Sequence, residues 1–169
     1  MHPLVDEAAK KAAVAWVGFG SGPAYCVWCL PLEGKLYLVT GPGEQTVPGL
    51  AEAVARGADA TVSLRGDHGG RIVTFTAAIA EIRPNGTEWE TVAPQLASKR
   101  LNASGTAESV VARWAAECLV VALIPDPDGV TSGADLPQDS EATAPRPTPV
   151  VRETRKPFRL HRVRKRANG

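Results

Sequence analysis

The stretch from Gly41 to Thr46 combines residue types that suit an anion-binding loop. Gly41 and Gly43 leave room for an anion to approach the backbone amides, and a helix that begins at Thr46 adds the partial positive charge of its first turn. The same residues also fit an ordinary turn between a strand and a helix, since Pro-Gly is a common turn signal. Glu44 favours the turn, because a carboxylate repels a bound anion.

Two arginines flank a glycine-containing loop further along the chain. Arg65 and Arg71 stand on either side of residues 67–70, and two guanidinium groups at this spacing can clamp a phosphate or a carboxylate. The alternative is a solvated hairpin end, at which the two charges keep the strands soluble. The sequence leaves both interpretations open.

Cys26 and Cys29 match the C-x-x-C string of redox proteins, although they fall in a stretch predicted as a strand. On a strand, an offset of three places the two thiols on opposite faces, whereas redox pairs of this kind sit at a helix start. A zinc site needs four ligands, and Cys118 is the single thiol that remains. We therefore predict buried structural cysteines and no metal site.

The elements that position these residues follow from the apolar pattern of residues 1–126. Short turns such as Glu33-Gly34 join most consecutive strands, so the sheet is predicted to be largely antiparallel. Six strands with few helices favour a small barrel, which leaves no exposed edges. Thr46, Thr87 and Thr106 are predicted to begin three helices. The predicted strands cover residues 14–19, 25–30, 35–40, 60–64, 71–82 and 118–124, and a further helix covers residues 4–12.

Charge divides the chain into three segments, although the whole carries only +1. Residues 1–126 carry a net charge of −3 and hold enough apolar residues for a core. Residues 127–150 are predicted as an acidic, proline-rich, disordered linker, because they bury too little apolar surface to order themselves. Residues 151–169 form a predicted basic tail, and residues 146–169 together carry +8.

The order of these elements resembles the split β-barrel of the pyridoxamine-phosphate-oxidase-like flavoproteins. The resemblance covers roughly residues 8–126 and rests on the phrases Gly34–Thr40 and Ala60–Leu64, the helix at 47–57 and the long strand from Arg71. It implies a mainly β fold, a six-stranded, mostly antiparallel split β-barrel with peripheral helices. It also implies a homodimer that holds FMN or a deazaflavin in each groove between its two chains.

The resemblance places the cofactor phosphate at the end of the third predicted strand. Thr40 matches the family's threonine, while Glu44 falls near its serine and Thr46 near its lysine, so the phosphate-binding lysine is absent. The phosphate then needs other donors or cations. The predicted contacts are Thr40, Gly41, Gly43, Arg65 and Arg71.

Four aromatic residues lie on predicted strands, where they could stack on an isoalloxazine ring. Packing in the core or at a dimer interface is the more common role of such residues. They are Trp16, Trp28, Tyr37 and Phe75. With three histidines in the chain, two of them near its ends, no Ser-His-Asp set can be assembled, and no catalytic residue is predicted.

Two functions follow from the sequence. The first is an FMN- or deazaflavin-binding split-barrel protein, a two-electron oxidoreductase of unknown substrate. The second is a cofactor-free dimeric binding module that acts through its surface and its basic tail.

The tail at 151–169 could bind nucleic-acid phosphates or an anionic membrane surface. Phe158 is its only aromatic residue, which gives little base stacking, so docking on the chain's own acidic core, or solubility, is the favoured role. No apolar run approaches the roughly 20 residues of a membrane span, and the N-terminus does not match a signal peptide. These features predict a cytoplasmic protein.

Overall fold

Four helices and seven strands make up the part of the chain that the computed structural model describes, residues 2–66, 69–100 and 104–135. The basic tail at 151–169 and most of the predicted linker lie outside these residues. In chain order the elements are α1 (Pro3–Lys11), β1 (Val14–Phe19), β2 (Tyr25–Trp28), β3 (Leu30–Leu32), β4 (Lys35–Thr40), α2 (Leu50–Arg56), β5 (Ala60–Arg65), β6 (Arg71–Glu81), α3 (Thr87–Lys99), α4 (Ala107–Glu117) and β7 (Leu119–Ser132).

The seven strands form one antiparallel sheet in the order β2-β1-β5-β6-β7-β4-β3. β2 and β3 lie at its two edges, yet only Cys29 separates Trp28 at the end of β2 from Leu30 at the start of β3. Because two residues of chain span at most about 7 Å, the sheet must curl until its edges meet. The result is a nearly closed split β-barrel, which confirms the predicted fold. The seventh strand arises because the predicted strand over 25–30 is divided at Cys29.

The barrel interior is filled by alternate residues of the strands. Val17 of β1, Val62 of β5 and Phe75 of β6 are each no more than 1% exposed and belong to one apolar cluster. Val5 of α1 is fully buried in the same cluster, so the first helix closes the interior. Burial of each such side chain contributes roughly 1.5–3 kcal/mol.

A second apolar cluster lies on the other face of β4 and β7. There Tyr37 and Val120 pack with Leu96 of α3 and Trp114 of α4. Burial on both faces explains why β4 and the first half of β7 read as continuous apolar runs. Glu88 fixes the start of α3, since its Oε1 accepts a hydrogen bond of 2.7 Å from the Tyr37 hydroxyl.

β7 continues well past the predicted end of the last strand. The sequence predicts a strand that stops at Ile124 and a linker from 127, but residues 127–132 belong to β7. β6 is 11 residues long, and its first half pairs with this extension, Phe75 opposite Val130. The pairing resumes after a bulge that takes up residues 126–129. The predicted end of the last strand at Ile124 was therefore wrong, because a partner strand outweighs local composition.

Two of the three predicted helix starts are correct, since α3 begins at Thr87 and Thr106 is the N-cap of α4. Thr106 caps α4, and its hydroxyl accepts a hydrogen bond of 3.3 Å from the Ser109 amide. Gly49 and Gly86 occupy the other two N-cap positions, without a side-chain cap. Thr46 therefore does not begin α2, which starts four residues later at Leu50.

A candidate ligand-binding face beside a buried ion cluster

Thr40 closes the loop that follows β4. Its hydroxyl donates to the carbonyl of Gln45 at 2.8 Å and accepts from the amide of Val47 at 3.2 Å. Both hydrogen bonds stay within the chain, so the hydroxyl that was predicted to contact a phosphate holds the loop in shape. Its role as a phosphate contact remains a prediction.

Gly41 and Gly43 let this loop approach the start of β7 and the end of α4. Gly41 has a φ of +142°, and a Cβ there would lie 2.9 Å from the Cα of Cys118. Gly43 has a φ of +77°, and its Cβ would lie 2.9 Å from the Arg113 Nη1. The two glycines are therefore required for contacts inside the chain. Any contact of their amides with a ligand remains a prediction.

The side chain of Glu44 points from this loop into a buried cluster of donors. The Glu44 side chain is 2% exposed. It accepts hydrogen bonds from Arg100 Nε at 2.9 Å, Arg113 Nη2 at 2.7 Å and Trp114 Nε1 at 2.8 Å. We call these four residues the Glu44 cluster.

Two effects on the pKa of Glu44 oppose each other. Burial alone would raise the pKa of this carboxyl group. The hydrogen bonds from Arg113, Trp114 and Arg100, with the positive charge of Arg100, outweigh burial and hold the pKa below its ordinary value. The carboxylate is therefore charged at neutral pH and offsets one of the two positive charges that Arg100 and Arg113 bring to the loop.

Arg65 and Arg71 are brought together at the other predicted anion site. The two residues are register partners at the ends of β5 and β6. The Arg65 guanidinium lies 4.7 Å from the centre of the Trp16 ring, and its Nη1 donates to the Gly69 carbonyl at 3.4 Å. Asp67 and His68 of the intervening loop lie outside the described residues.

Four side chains of β1 and β2 point away from the barrel interior and share one surface. Trp16 pairs with Cys26, and Val14 pairs with Trp28, whereas the alternate residues Ala15 and Val27 are buried in the core. Directly paired residues project to the same side of a sheet, so the two tryptophans are diagonal neighbours. We call Val14, Trp16, Cys26 and Trp28 the β1–β2 outer face.

The β1–β2 outer face lies between the two predicted groups of residues. Arg65 contacts it at Trp16. At its other end, the Gln45 side chain accepts from the Trp28 amide at 2.6 Å and donates to the Cys26 carbonyl at 3.3 Å. The Arg100 guanidinium lies 5.4 Å from the centre of the Trp28 ring while it binds Glu44. The curled sheet thus places one arginine at each tryptophan.

This arrangement suits a planar aromatic ligand, but its loop does not suit a phosphate. Trp16 and Trp28 are half-buried and offer aromatic surface, whereas the other two aromatic candidates, Tyr37 and Phe75, are buried in the cores. In the loop, the Thr40 hydroxyl already makes two hydrogen bonds within the chain, and Glu44 already forms ion pairs with Arg100 and Arg113. The described residues therefore fit the ring of a flavin and do not fit its phosphate at residues 41–45.

The cysteines behave partly as predicted. Cys26 is exposed and Cys29 is buried, which confirms that the two thiols occupy opposite faces. The prediction that both are buried was wrong for Cys26, because it pairs with Trp16 on the outer face of the sheet. Among residues 2–66, 69–100 and 104–135, no group of three or more histidine, cysteine and acidic residues could hold a metal ion.

Comparison with solved structures agrees with this architecture. The heme storage protein HutZ of Vibrio cholerae is 11% identical, with a TM-score of 0.56 over 78% of this chain and 95% of that protein. A Listeria innocua protein, named as a candidate pyridoxamine 5'-phosphate oxidase, is 14% identical, with a TM-score of 0.52 over 76% and 94%. This chain has the split-barrel fold of the pyridoxamine 5'-phosphate oxidase-like proteins.

At these identities the likeness shows the fold alone. The split-barrel chain is also 17% identical to the FAD and heme binding protein of Mycobacterium smegmatis, with a TM-score of 0.49 over 87% and 86%. No protein-family model and no curated protein matches the sequence. In the described part of the split-barrel chain, none of the helices combines the length and the apolar character needed to cross a membrane.

Proposed function

We propose that this split-barrel chain binds a flavin-type ligand on the β1–β2 outer face and uses it for two-electron oxidation or reduction. The observation that carries the proposal is the pair of half-buried tryptophans, Trp16 and Trp28, side by side on one sheet face. Each has an arginine at its ring. The split-barrel fold supports it, since a candidate pyridoxamine 5'-phosphate oxidase shares that fold.

Each residue of the face has a defined role in this proposal. The rings of Trp16 and Trp28 contact the planar part of the ligand. Arg65 supplies positive charge at one end, whereas Arg100 at the other end is already paired with Glu44. Arg65 and Arg71 are the proposed contacts of a phosphate, if FMN or a deazaflavin is the ligand. The bound flavin or deazaflavin supplies the electron transfer, and the protein orients its ring. A second copy of the chain covers the ligand and excludes water, as in a homodimer.

Titration with riboflavin, FMN and a deazaflavin tests the proposal. A bound ring quenches tryptophan fluorescence, shifts the visible absorbance of the flavin and raises the melting temperature, because the ligand binds only the folded state. Trp16→Leu and Trp28→Leu are each expected to weaken binding about tenfold, which is the upper range for an aromatic contact. Val111→Ala on α4 is the control and leaves the affinity unchanged. A chain whose melting temperature none of the three ligands moves would falsify the proposal.

A second candidate function is a cofactor-free dimeric binding module. The observation that favours it is the Glu44 carboxylate, which already forms ion pairs with Arg100 and Arg113 beside the loop. A chain of this kind binds none of the three ligands and still forms a dimer. The same titration, combined with a measurement of mass in solution, therefore decides between the two functions.

A further inference from the structure

The Glu44 cluster has the donor set of an oxyanion receptor. Two guanidinium groups and an indole N–H converge on the two oxygens of one carboxylate, at 2.7–2.9 Å. Planar guanidinium donors of this kind bind phosphate and carboxylate oxygens in the same way. The receptor is shielded, since the side chains of Arg100 and Arg113 are 20% and 29% exposed.

The anion in this receptor belongs to the chain itself. Glu44 follows Gly43, whose positive φ brings the loop against Arg113. A second contact secures the loop, because Arg113 Nη1 also donates to the carbonyl of Pro42. The loop whose sequence predicts an anion-binding site thus places its own carboxylate, Glu44, against Arg100 and Arg113.

The receptor borders the proposed ligand face. Arg100 contacts both the Trp28 ring, at 5.4 Å, and the Glu44 carboxylate, at 2.9 Å. A ligand on Trp28 that carried a phosphate toward Arg100 would meet the charge of Glu44 at that point. Two anions cannot share one pair of guanidinium groups without repulsion.

We propose that Glu44 is a specificity-determining residue: it fills an oxyanion receptor from within the chain and so excludes phosphate-bearing ligand ends from the Arg100 side of the β1–β2 outer face. The receptor itself is inferred from the Glu44 cluster alone. The exclusion of phosphate-bearing ligand ends rests on the proposed function. Removal of the carboxylate should convert the cluster into a site for an external oxyanion.

Inorganic phosphate is the probe for the receptor. In chloride buffer, Glu44→Ala is expected to melt below the wild type, because two cations and an indole N–H lose their acceptor. Added phosphate should restore much of this loss with a saturable dependence at millimolar concentration. Additional chloride at matched ionic strength should not restore the melting temperature of Glu44→Ala. Phosphate also stabilises folded proteins in general, so the relevant quantity is the shift in the variant minus the shift in the wild type.

Two further variants separate receptor filling from general destabilisation. Glu44→Gln removes the charge and keeps the volume, so phosphate should give it no saturable recovery. Glu44→Ala combined with Arg113→Ala removes a donor from the receptor and should lose the recovery shown by Glu44→Ala alone. If Glu44→Ala does not fold in chloride, its refolding yield in phosphate against chloride is the readout. An equal response of the wild type and Glu44→Ala to phosphate overturns the proposal.

The ligand part is tested by comparing FMN with riboflavin, which differ by the phosphate. Glu44→Ala should improve the affinity for FMN relative to riboflavin at least tenfold over the same ratio in the wild type. An unchanged ratio, with both flavins bound, overturns the specificity role and leaves the flavin proposal intact. If neither flavin binds either protein, the proposed function fails, and the phosphate experiment still decides whether the receptor exists.

Discussion

Arg113 Nη2 lies 2.7 Å from Glu44 Oε1, and this contact joins residues that are 69 positions apart in the chain. It attaches the loop after β4 to α4, a helix that otherwise packs through Val110 and Trp114. The same carboxylate binds Arg100 just past the end of α3. One side chain therefore connects the barrel to both helices of the second apolar cluster, and its loss should affect stability as well as ligand choice.

Acid should weaken the fold through Glu44. Its pKa is lowered in the folded state from an unfolded value near 4.5, so the folded state binds this proton less readily than the unfolded state. The stabilisation is fully present above pH 4.5 and is lost as the pH falls through the lowered folded pKa. Urea unfolding of the wild type at several pH values between 7 and 3 should show this decline.

Substitution at the same position provides the comparison. Glu44→Gln should be less stable than the wild type at pH 7, and the difference should shrink toward pH 3. Glu52→Gln removes one carboxylate from an exposed position of α2 and serves as the control. A Glu44→Gln penalty that stays constant across this range would show that the carboxylate charge is not what stabilises the cluster.

Gly41→Ala should destabilise the fold far more than Gly34→Ala. Both glycines have positive φ, but a Cβ at Gly34 meets nothing within 4 Å, whereas at Gly41 it would lie 2.9 Å from the Cys118 Cα. The backbone of Cys118 cannot move aside as a flexible side chain can. We expect a loss of about 1 kcal/mol for Gly34→Ala and about 3 kcal/mol or more for Gly41→Ala in urea unfolding. Equal losses would mean that the loop does not pack against β7 this closely.

The barrel was predictable from sequence because its signals are local. Apolar strands and tight turns such as Glu33-Gly34 fix most strand positions within a residue or two of the structure. The extension of β7 was not predictable in this way, since Pro127 and Asp128 favour a loop and lie in the bulge, and only the pairing of residues 130–132 with β6 continues the strand beyond them.

The candidate site was only partly predictable for the same reason. The sequence of the loop already shows that the Glu44 carboxylate would repel a bound anion. Its partners Arg100 and Arg113 lie 56 and 69 positions away, and no periodicity marks them. A carboxylate in a glycine loop is a signal to look for distant cations, although sequence alone does not say which ones.

Cys26 should be the thiol that reacts in the folded chain when no flavin occupies the β1–β2 outer face. It is exposed, whereas burial, with a smaller effect of Cys26, raises the pKa of Cys29 to about 12. Burial also raises the pKa of Cys118, despite the nearby Arg113. The thiolate is the reactive form, so a thiol reagent at pH 8 should modify one site rapidly, and Cys26→Ser should abolish this phase. Rapid labelling that survives in Cys26→Ser, located by peptide mass spectrometry, would contradict the assigned burial.

Homodimerisation should depend on apolar side chains that point away from the barrel interior. Val14 of β1 and Ile124 of β7 are 43% and 39% exposed, the large hydrophobic residues most exposed in the described part of the chain. Contiguous apolar surface marks an interface between subunits, so these two outward-facing side chains are the positions at which the proposed homodimer is tested. We expect the wild type to sediment as a dimer, and Val14→Arg and Ile124→Arg to shift it toward monomer. Ala51→Arg adds the same charge at an exposed position of α2 and should stay dimeric. If the wild type sediments as a monomer, no second chain covers the β1–β2 outer face, and the homodimer proposed for ligand binding is wrong.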